Sequence, residues 1–270
     1  MEITTSTGFC LAALSSLLMQ YTGWQPVNDS QKTTLAAIEQ VDTRTQGAID
    51  LYTASMVTKS YKELSEWLIK RNWEEILKSV PPGAAGYMAS VFDAKVKWAD
   101  AGRERPVFID DVKYDGASLS NVKLYYNDSA TIPTKTPGIY MTLVACEEKI
   151  GSGVELHQRA EKALKALPTV RSTWGSVTFP KVQKTINVDV SFLEGLHCSN
   201  FRIDEAIKMI RFKMDHLGAE AEAAMVATAK GIPPSITFEG PFIAILHAED
   251  ATTPLFCFYS GPDSWSELAE

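Results

Sequence analysis

The chain has 270 residues, of which 45% are hydrophobic and 22% charged, and its formal net charge is −7. That length can bury a sizeable core and fits one large domain, residues 1–270, of ordinary globular composition. The acidic balance excludes general nucleic-acid binding, which needs a basic surface.

In chain order, Met1–Thr5 reads as a short strand. Ser6 or Thr7 can then cap a helix from Gly8 to about Tyr21, apolar on almost every side as a buried helix is. The run GFCLAALSSLLM has no preceding basic residue and no small-residue cleavage site, so it does not read as a signal peptide. It is also too short to span a bilayer. A chain with neither feature is expected in the cytoplasm or exported by an unconventional route. Asn28 and Asn127 open Asn-Asp-Ser triplets of the glycosylation type, a match that chance explains.

Gln31–Val41 reads as a weak helix, and Ala48–Lys59 alternates as a strand does. Ser60-Tyr61-Lys62-Glu63 is a capping box. It opens a helix with Leu64, Trp67, Leu68, Ile76 and Leu77 on its apolar face, widened by Trp73 and stopped at Pro81-Pro82-Gly83. Gly86–Trp98, Pro106–Tyr114 and Asn121–Asn127 are strand-like, and Gly138–Cys146 is a buried-strand run. Gly153–Leu167 reads as a helix, and Ser172–Leu196 as strands around Pro180. Glu205–Asp215 is a long strand. No repeat, low-complexity tract or linker divides the chain.

The stretch His216–Phe242 organises the rest. Read alone, its small residues between Gly218 and Pro233-Pro234 favour an Ala-rich helix. Read with period 2, Ala219, Ala221, Ala223, Met225, Ala227 and Ala229 share one face, and Glu220, Glu222, Ala224, Val226, Thr228 and Lys230 share the other. The neighbours favour the second reading, because strand-like runs lie on both sides.

The order of these segments resembles the C-terminal third of a serpin. The residues that carry the resemblance are Gly218, Glu220, Ala221, Ala223 and Ala224 in the hinge, then Phe238, Pro241, Phe242, Pro254, Leu255 and Phe256. The N-terminal strand and helix are similar to the first buried strand and helix of that family, with Thr4 and Thr7 where serines are usual. The helix ending at Pro-Gly, followed by a Trp-bearing strand, also fits, although a helix and an edge strand of the family have no room here. The resemblance implies an α+β fold. It would have one large, mainly antiparallel sheet, smaller sheets, surrounding helices and a reactive loop exposed from about Gly218 to Pro234. Trimmed serpins of this kind occur in large DNA viruses such as poxviruses, where they blunt host proteolysis.

A serpin loop is bait for a protease, and after cleavage it inserts into the main sheet. The implied hinge is Gly218, Ala219, Glu220, Ala221, Glu222, Ala223 and Ala224. Anchored on the gapless match GIPPSITFEGPF, the scissile bond falls at Lys230-Gly231 and presents a lysine to a trypsin-like serine protease. Counted from Gly218 with the usual loop length, it falls at Ile232-Pro233, a prolyl bond and a poor substrate. The first anchor is preferred, and it leaves the loop two residues short. Sheet opening in the family involves the serines near the N-terminus, a His before the hinge and an Asn in the Trp-bearing strand. The corresponding positions here are Thr4, Thr7, Lys208 and Ser90.

An enzyme reading finds no Gly-Xaa-Ser-Xaa-Gly elbow, P-loop or His-Glu-Xaa-Xaa-His. His197-Cys198 cannot pair directly, since adjacent residues of an extended chain point apart. Cys10, Cys146, Cys198 and Cys257 lack metal-type spacing, and three lie in apolar runs, which suits buried thiols. No metal or cofactor is expected. Two readings follow: a suicide-substrate inhibitor of a trypsin-like protease, or a non-inhibitory serpin-fold binding or decoy protein. Both imply a monomer without a heparin site, nucleic acid or membrane among its partners.

Overall fold

Phe242–Ala248 and Phe256–Ser260 are buried at every position, as in strands covered on both faces. They lie inside the largest sheet of the computed structural model, which describes residues 6–126, 128–148, 150–199, 201–218 and 234–268. The elements begin with β1 (Thr7–Phe9), α1 (Leu11–Leu18), α2 (Asp29–Glu39), α3 (Thr43–Tyr52), β2 (Thr53–Thr58), α4 (Tyr61–Ile69) and β3 (Tyr87–Phe92). Next come β4 (Arg103–Glu104), β5 (Val107–Ile109), β6 (Val112–Tyr114), β7 (Gly116–Tyr125), β8 (Ser129–Pro133), β9 (Ile139–Ala145) and α5 (Gly153–Ala166). The chain continues through β10 (Ser172–Pro180), β11 (Val182–Val188), β12 (His197–Cys198), β13 (Phe201–Arg202) and β14 (Lys208–Met214). It ends with β15 (Ser235–Thr237), β16 (Phe242–Ala248) and β17 (Phe256–Ser260).

Among the described residues, one nine-stranded sheet runs β1-β17-β16-β9-β8-β7-β10-β15, with β4 also on β7. Its neighbours are antiparallel except β10 and β15. The pairs β2–β3, β5–β6, β11–β14 and β12–β13 form two-stranded sheets. The α+β architecture of one large, mainly antiparallel sheet with smaller sheets and helices is therefore present. β3 and β14, the strands that carry Ser90 and Lys208, each have one bonded neighbour among the described residues, β2 and β11 respectively. No helix among them is long and apolar enough to cross a membrane.

The chain divides into two compact units. One comprises Met1–Phe9, Ala94–Ile186 and Arg211–Glu270, and it holds the nine-stranded sheet. Leu143, Phe179, Ile245, Phe258 and Tyr259 are fully buried there. α5 starts at the Ser152 cap and packs on β1 and β17. Gly153 permits that approach, because a Cβ at that position would sit 3.2 Å from both the Gly8 carbonyl and the Phe9 ring.

The other unit comprises Cys10–Asp93 and Asn187–Ile210. β2 and β3 pair from Thr53↔Phe92 to Thr58↔Tyr87. Alternate residues put Met56, Tyr87, Ala89 and Val91 against Leu64 and Leu68 of α4, with Trp67, Trp73, Ile76 and Leu77 around them. The expected apolar face is thus real, but the helix is not continuous. Asn72 takes a positive φ of 59°, and Glu74–Ser79 forms a separate 3-10 turn. Asn28 caps α2 and donates its amide to the Phe192 carbonyl at 2.9 Å, so its side chain is committed to structure.

Two further expectations are corrected. The helix expected from Gly8 begins at Leu11, because Thr7–Phe9 pairs with β17 and Cys10 takes the cap. The strand expected over Ala48–Lys59 begins at Thr53. Before it, α3 is capped by Asp42, whose carboxylate accepts from the Thr45 N–H. The four cysteines form no disulfide; Cys10, Cys198 and Cys257 are buried and Cys146 half-buried.

Candidate reactive-loop anchors and sheet-opening residues

β14 ends at Met214 and the chain turns tightly through Asp215–Gly218. The Asp215 N–H donates to the Gly218 carbonyl at 3.1 Å. The Leu217 N–H donates to the Asp215 carboxylate at 2.8 Å. This turn is clasped by the segment after β3. The Trp98 indole N–H donates to the Asp215 carbonyl at 2.8 Å, the Gly102 N–H donates to the His216 carbonyl at 3.0 Å, and Lys97 forms a backbone bridge with Gly218. Gly218 has a φ of +127°, and a Cβ there would lie 2.6 Å from the Val96 carbonyl and 2.8 Å from Lys97 Cα. Only glycine fits such a close approach at such a φ.

Gly218, the first residue of the expected hinge, is therefore a fixed point. The other expected hinge residues, Ala219, Glu220, Ala221, Glu222, Ala223 and Ala224, and the expected reactive pair Lys230-Gly231 lie outside the described residues. The chain returns at Pro234, whose carbonyl accepts from the Ser176 N–H at 3.0 Å. Gly175 also excludes a side chain, because a Cβ would lie 2.1 Å from that same carbonyl. β15 then runs parallel to β10 from Ser176↔Ser235.

Charges gather beside the first anchor. Lys181 Nζ donates to Glu104 at 2.6 Å and to Asp115 at 2.8 Å, and His216 Nδ1 is 3.7 Å from the same Glu104 oxygen. The hydrogen bond from Lys181 is the main cause that holds the Glu104 carboxyl below its usual range. Burial alone lowers the Lys181 pKa, but its bonds to Asp115 and Glu104 outweigh burial and raise it.

Of the residues expected to act in sheet opening, Thr4 lies outside the described residues, and Thr7 pairs with Tyr259 in the large sheet. Ser90 stands opposite Ser55 in the β2–β3 pair, and its buried hydroxyl has no hydrogen-bond partner among the described residues. Lys208 opens β14 with its ammonium buried, and its charge acts on Cys10. Burial raises the Cys10 thiol pKa, and Lys208 and the N–H groups of Ala13 and Ala12 offset that only in part. Cys10 is the buried thiol the sequence suggested, but sequence reasoning missed that it caps α1, its sulfur accepting from the Ala13 N–H at 3.4 Å. The signal was available, since it immediately precedes the helical run LAALSSLL. His197 is exposed and Cys198 buried on opposite faces of β12, as their adjacency requires.

No protein-family model and no curated protein sequence matches the chain. Solved structures do match. Serpin48, a highly specific serpin of the insect Tenebrio molitor, shares 14% identity over 94% of this chain and 91% of its own, with a TM-score of 0.63. A serpin from the trematode Schistosoma haematobium shares 12% over 94% and 93%, with a TM-score of 0.60. The thermophilic serpin tengpin in its native state shares 15% over 96% and 89%, with a TM-score of 0.62. At these identities the likeness is one of fold, and the fold is that of the serpins.

Proposed function

We propose that this chain acts as one serpin-type domain and inhibits a trypsin-like serine protease as a suicide substrate. The observation that carries the reading is the pair of anchors. Residues 219–233 run from a glycine-only clasp at Gly218 to the start of β15, and β3 and β14, the strands of Ser90 and Lys208, each pair with one strand among the described residues. The target serine attacks the Lys230 carbonyl and forms an ester as the bond to Gly231 breaks. Insertion of the hinge then holds the acyl-enzyme before water cleaves it. Cleavage by trypsin should leave an adduct that survives SDS. In Ala219→Arg the adduct should vanish while cleavage continues, because an unpaired charge would enter the sheet first.

A second reading is favoured by the opening residues. Lys208 is a buried ammonium, and Ser90 has a buried hydroxyl with no partner among the described residues. Both replace groups that in the resembled family hold the sheet closed by hydrogen bonds. A serpin fold serving as a binding or decoy protein, including a viral host-modulating one, needs no such opening. Under this reading trypsin yields a cleaved chain and no adduct.

A further inference from the structure

β2 pairs with β3, and no other strand among the described residues bonds to it. The Asp93 N–H donates to the Tyr52 carbonyl at 2.8 Å, which makes 52↔93 a hydrogen-bonded pair of that ladder. Such pairs alternate with non-bonded ones in an antiparallel ladder, so Ala54, Met56 and Thr58 bond to β3. Thr53, Ser55 and Val57 turn their N–H and C=O groups the other way. The Thr53 N–H is taken by the Ile49 carbonyl. The backbone groups of Ser55 and Val57 meet no hydrogen-bond partner among the described residues. Val57 is also 40% exposed. It shares a face with Ser55, whose hydroxyl accepts from the Gln20 amide at 2.7 Å, while Met56 on the other face packs against the α4 cluster. The run Thr53–Thr58 holds no charge and no proline, and its register with β3 has no bulge. Edge strands that avoid pairing usually carry one of these devices.

We propose that β2 is a self-association edge, to which a second copy of this chain adds its own β2 antiparallel about a two-fold axis, in place of the monomer that the resemblance implies. The register follows from the groups available. Residues directly opposite in a continuous sheet share a face, so the axis must relate one residue to its own copy. Centred on Met56, it sets Ser55 opposite Val57 of the second copy, and Val57 opposite Ser55. Each copy then donates two N–H groups, and the four hydrogen bonds use every backbone group of Ser55 and Val57. Centred on Ser55, the Val57 carbonyl would instead face the occupied Thr53 N–H. The ends match in charge as well. Exposed Asp50 precedes β2 and exposed Lys59 follows it, so an antiparallel pair brings opposite signs together at both ends. A foreign strand offers no such match of register and charge. Two-fold pairing is closed, so it stops at a dimer. The edge belongs to neither functional reading and stands under both.

The test measures the mass of the whole chain by sedimentation velocity across a concentration series. The parent should pass from monomer to dimer and no further. Val57→Lys puts a charge on the edge, and Ser55→Pro removes an N–H that β3 does not use. Each should raise the dissociation constant about tenfold or more, and Val57→Thr should keep the dimer. Amide exchange gives a second readout: Ser55 and Val57 should slow as concentration rises, while Thr53 does not change. Equal melting midpoints show that the variants fold, and Val57→Lys, a surface change, decides the matter if Ser55→Pro does not fold. Under mild oxidation, Ser55→Cys chains mixed with Val57→Cys chains should crosslink to each other more than either does to itself. The reverse preference overturns the register. A parent that stays monomeric up to about 1 mM, where even a millimolar contact would show, overturns the proposal. So does a dimer that both variants leave intact, or growth beyond a dimer. A monomer whose Ser55 and Val57 amides are already slow shows that the chain covers its own edge, and this too overturns it.

Discussion

The indole N–H of Trp98 donates to the backbone carbonyl of Asp215 across 2.8 Å, with Trp98 only 2% exposed. This bond ties the segment after β3 to the turn that delivers the chain into the hinge. Trp98→Phe keeps an aromatic ring but leaves that carbonyl without its donor in a buried site. The expected loss is about 1–3 kcal/mol, read as a lower urea midpoint with an unchanged slope. An unchanged midpoint would mean the carbonyl is re-satisfied and the clasp is weak.

Gly218→Ala should be more damaging than its size suggests. The added carbon meets the Val96 carbonyl at 2.6 Å, and the φ of +127° disfavours any L side chain. Strain of this kind costs about 1–3 kcal/mol, and opening the turn relieves it. The variant should lose stability and expose the 215–218 turn to faster hydrogen exchange. Gly83→Ala is the control, since nothing lies within 4 Å of its added carbon. Equal behaviour of the two variants refutes the clasp.

Much of this was legible in the sequence, for physical reasons that differ by element. The buried strands β16 and β17 announce themselves by apolar runs bounded by Pro and Gly, and β14 by the alternation of KMIRFKM. The Ser60 capping box predicts the start of α4, and Ser60 does accept from the Glu63 N–H at 3.3 Å. The apolar residues Leu64 and Leu68 were recognisable as core, whereas the break at Asn72 depends on one residue in a left-handed conformation, which periodicity does not encode. Thr7–Phe9 is a strand, and Leu11–Leu18 is helical as expected. Only the start of the helix expected from Gly8 was misread, because a buried strand and a buried helix are both continuously apolar. Sheet pairing with Tyr259, a partner far away in the sequence, settles it. The same distance hid the Trp98–Asp215 clasp and the placement of Lys208 near Cys10.

Acid sensitivity should centre on His247. Its Nδ1 donates to the Ala248 carbonyl at 2.9 Å, so Nε2 is left to accept from the Thr142 hydroxyl at 2.9 Å. Thr142 in turn accepts from Thr131 at 2.8 Å. Burial is the largest cause that pushes the His247 pKa from 6.5 down to about 4. Below pH 6.5 the unfolded imidazole takes up protons that the folded one refuses. The stability from this group is therefore complete above 6.5, is lost as pH falls towards 4, and changes no further below that. The loss is on the order of 3 kcal/mol. Stability curves of the parent and His247→Phe should converge or cross on this limb. Parallel curves would show that His247 titrates normally.

Cutting the loop separates the two functional readings without knowledge of the target. In the inhibitor reading, the intact fold is kinetically trapped above a state with the loop inserted. Limited trypsin digestion near Lys230 frees the preceding segment from the constraint at Pro234, and in that reading the segment adds to the sheet as a new strand. Each inserted residue gains a ladder bond worth about 0.5–1.5 kcal/mol for each side that pairs, and ordering it costs about 1–2 kcal/mol. Pairing on one side barely covers the cost, whereas pairing on both sides exceeds it. On the expected register an alanine face adds burial and the loop falls two residues short, and Lys208 adds the cost of keeping an ammonium buried while its surroundings rearrange. Two-sided insertion should still win and raise the thermal midpoint of the nicked protein above that of the intact one. A nicked protein that melts at or below the intact one has a sheet that refuses the loop. The binding or decoy reading then stands, because it alone needs no second state.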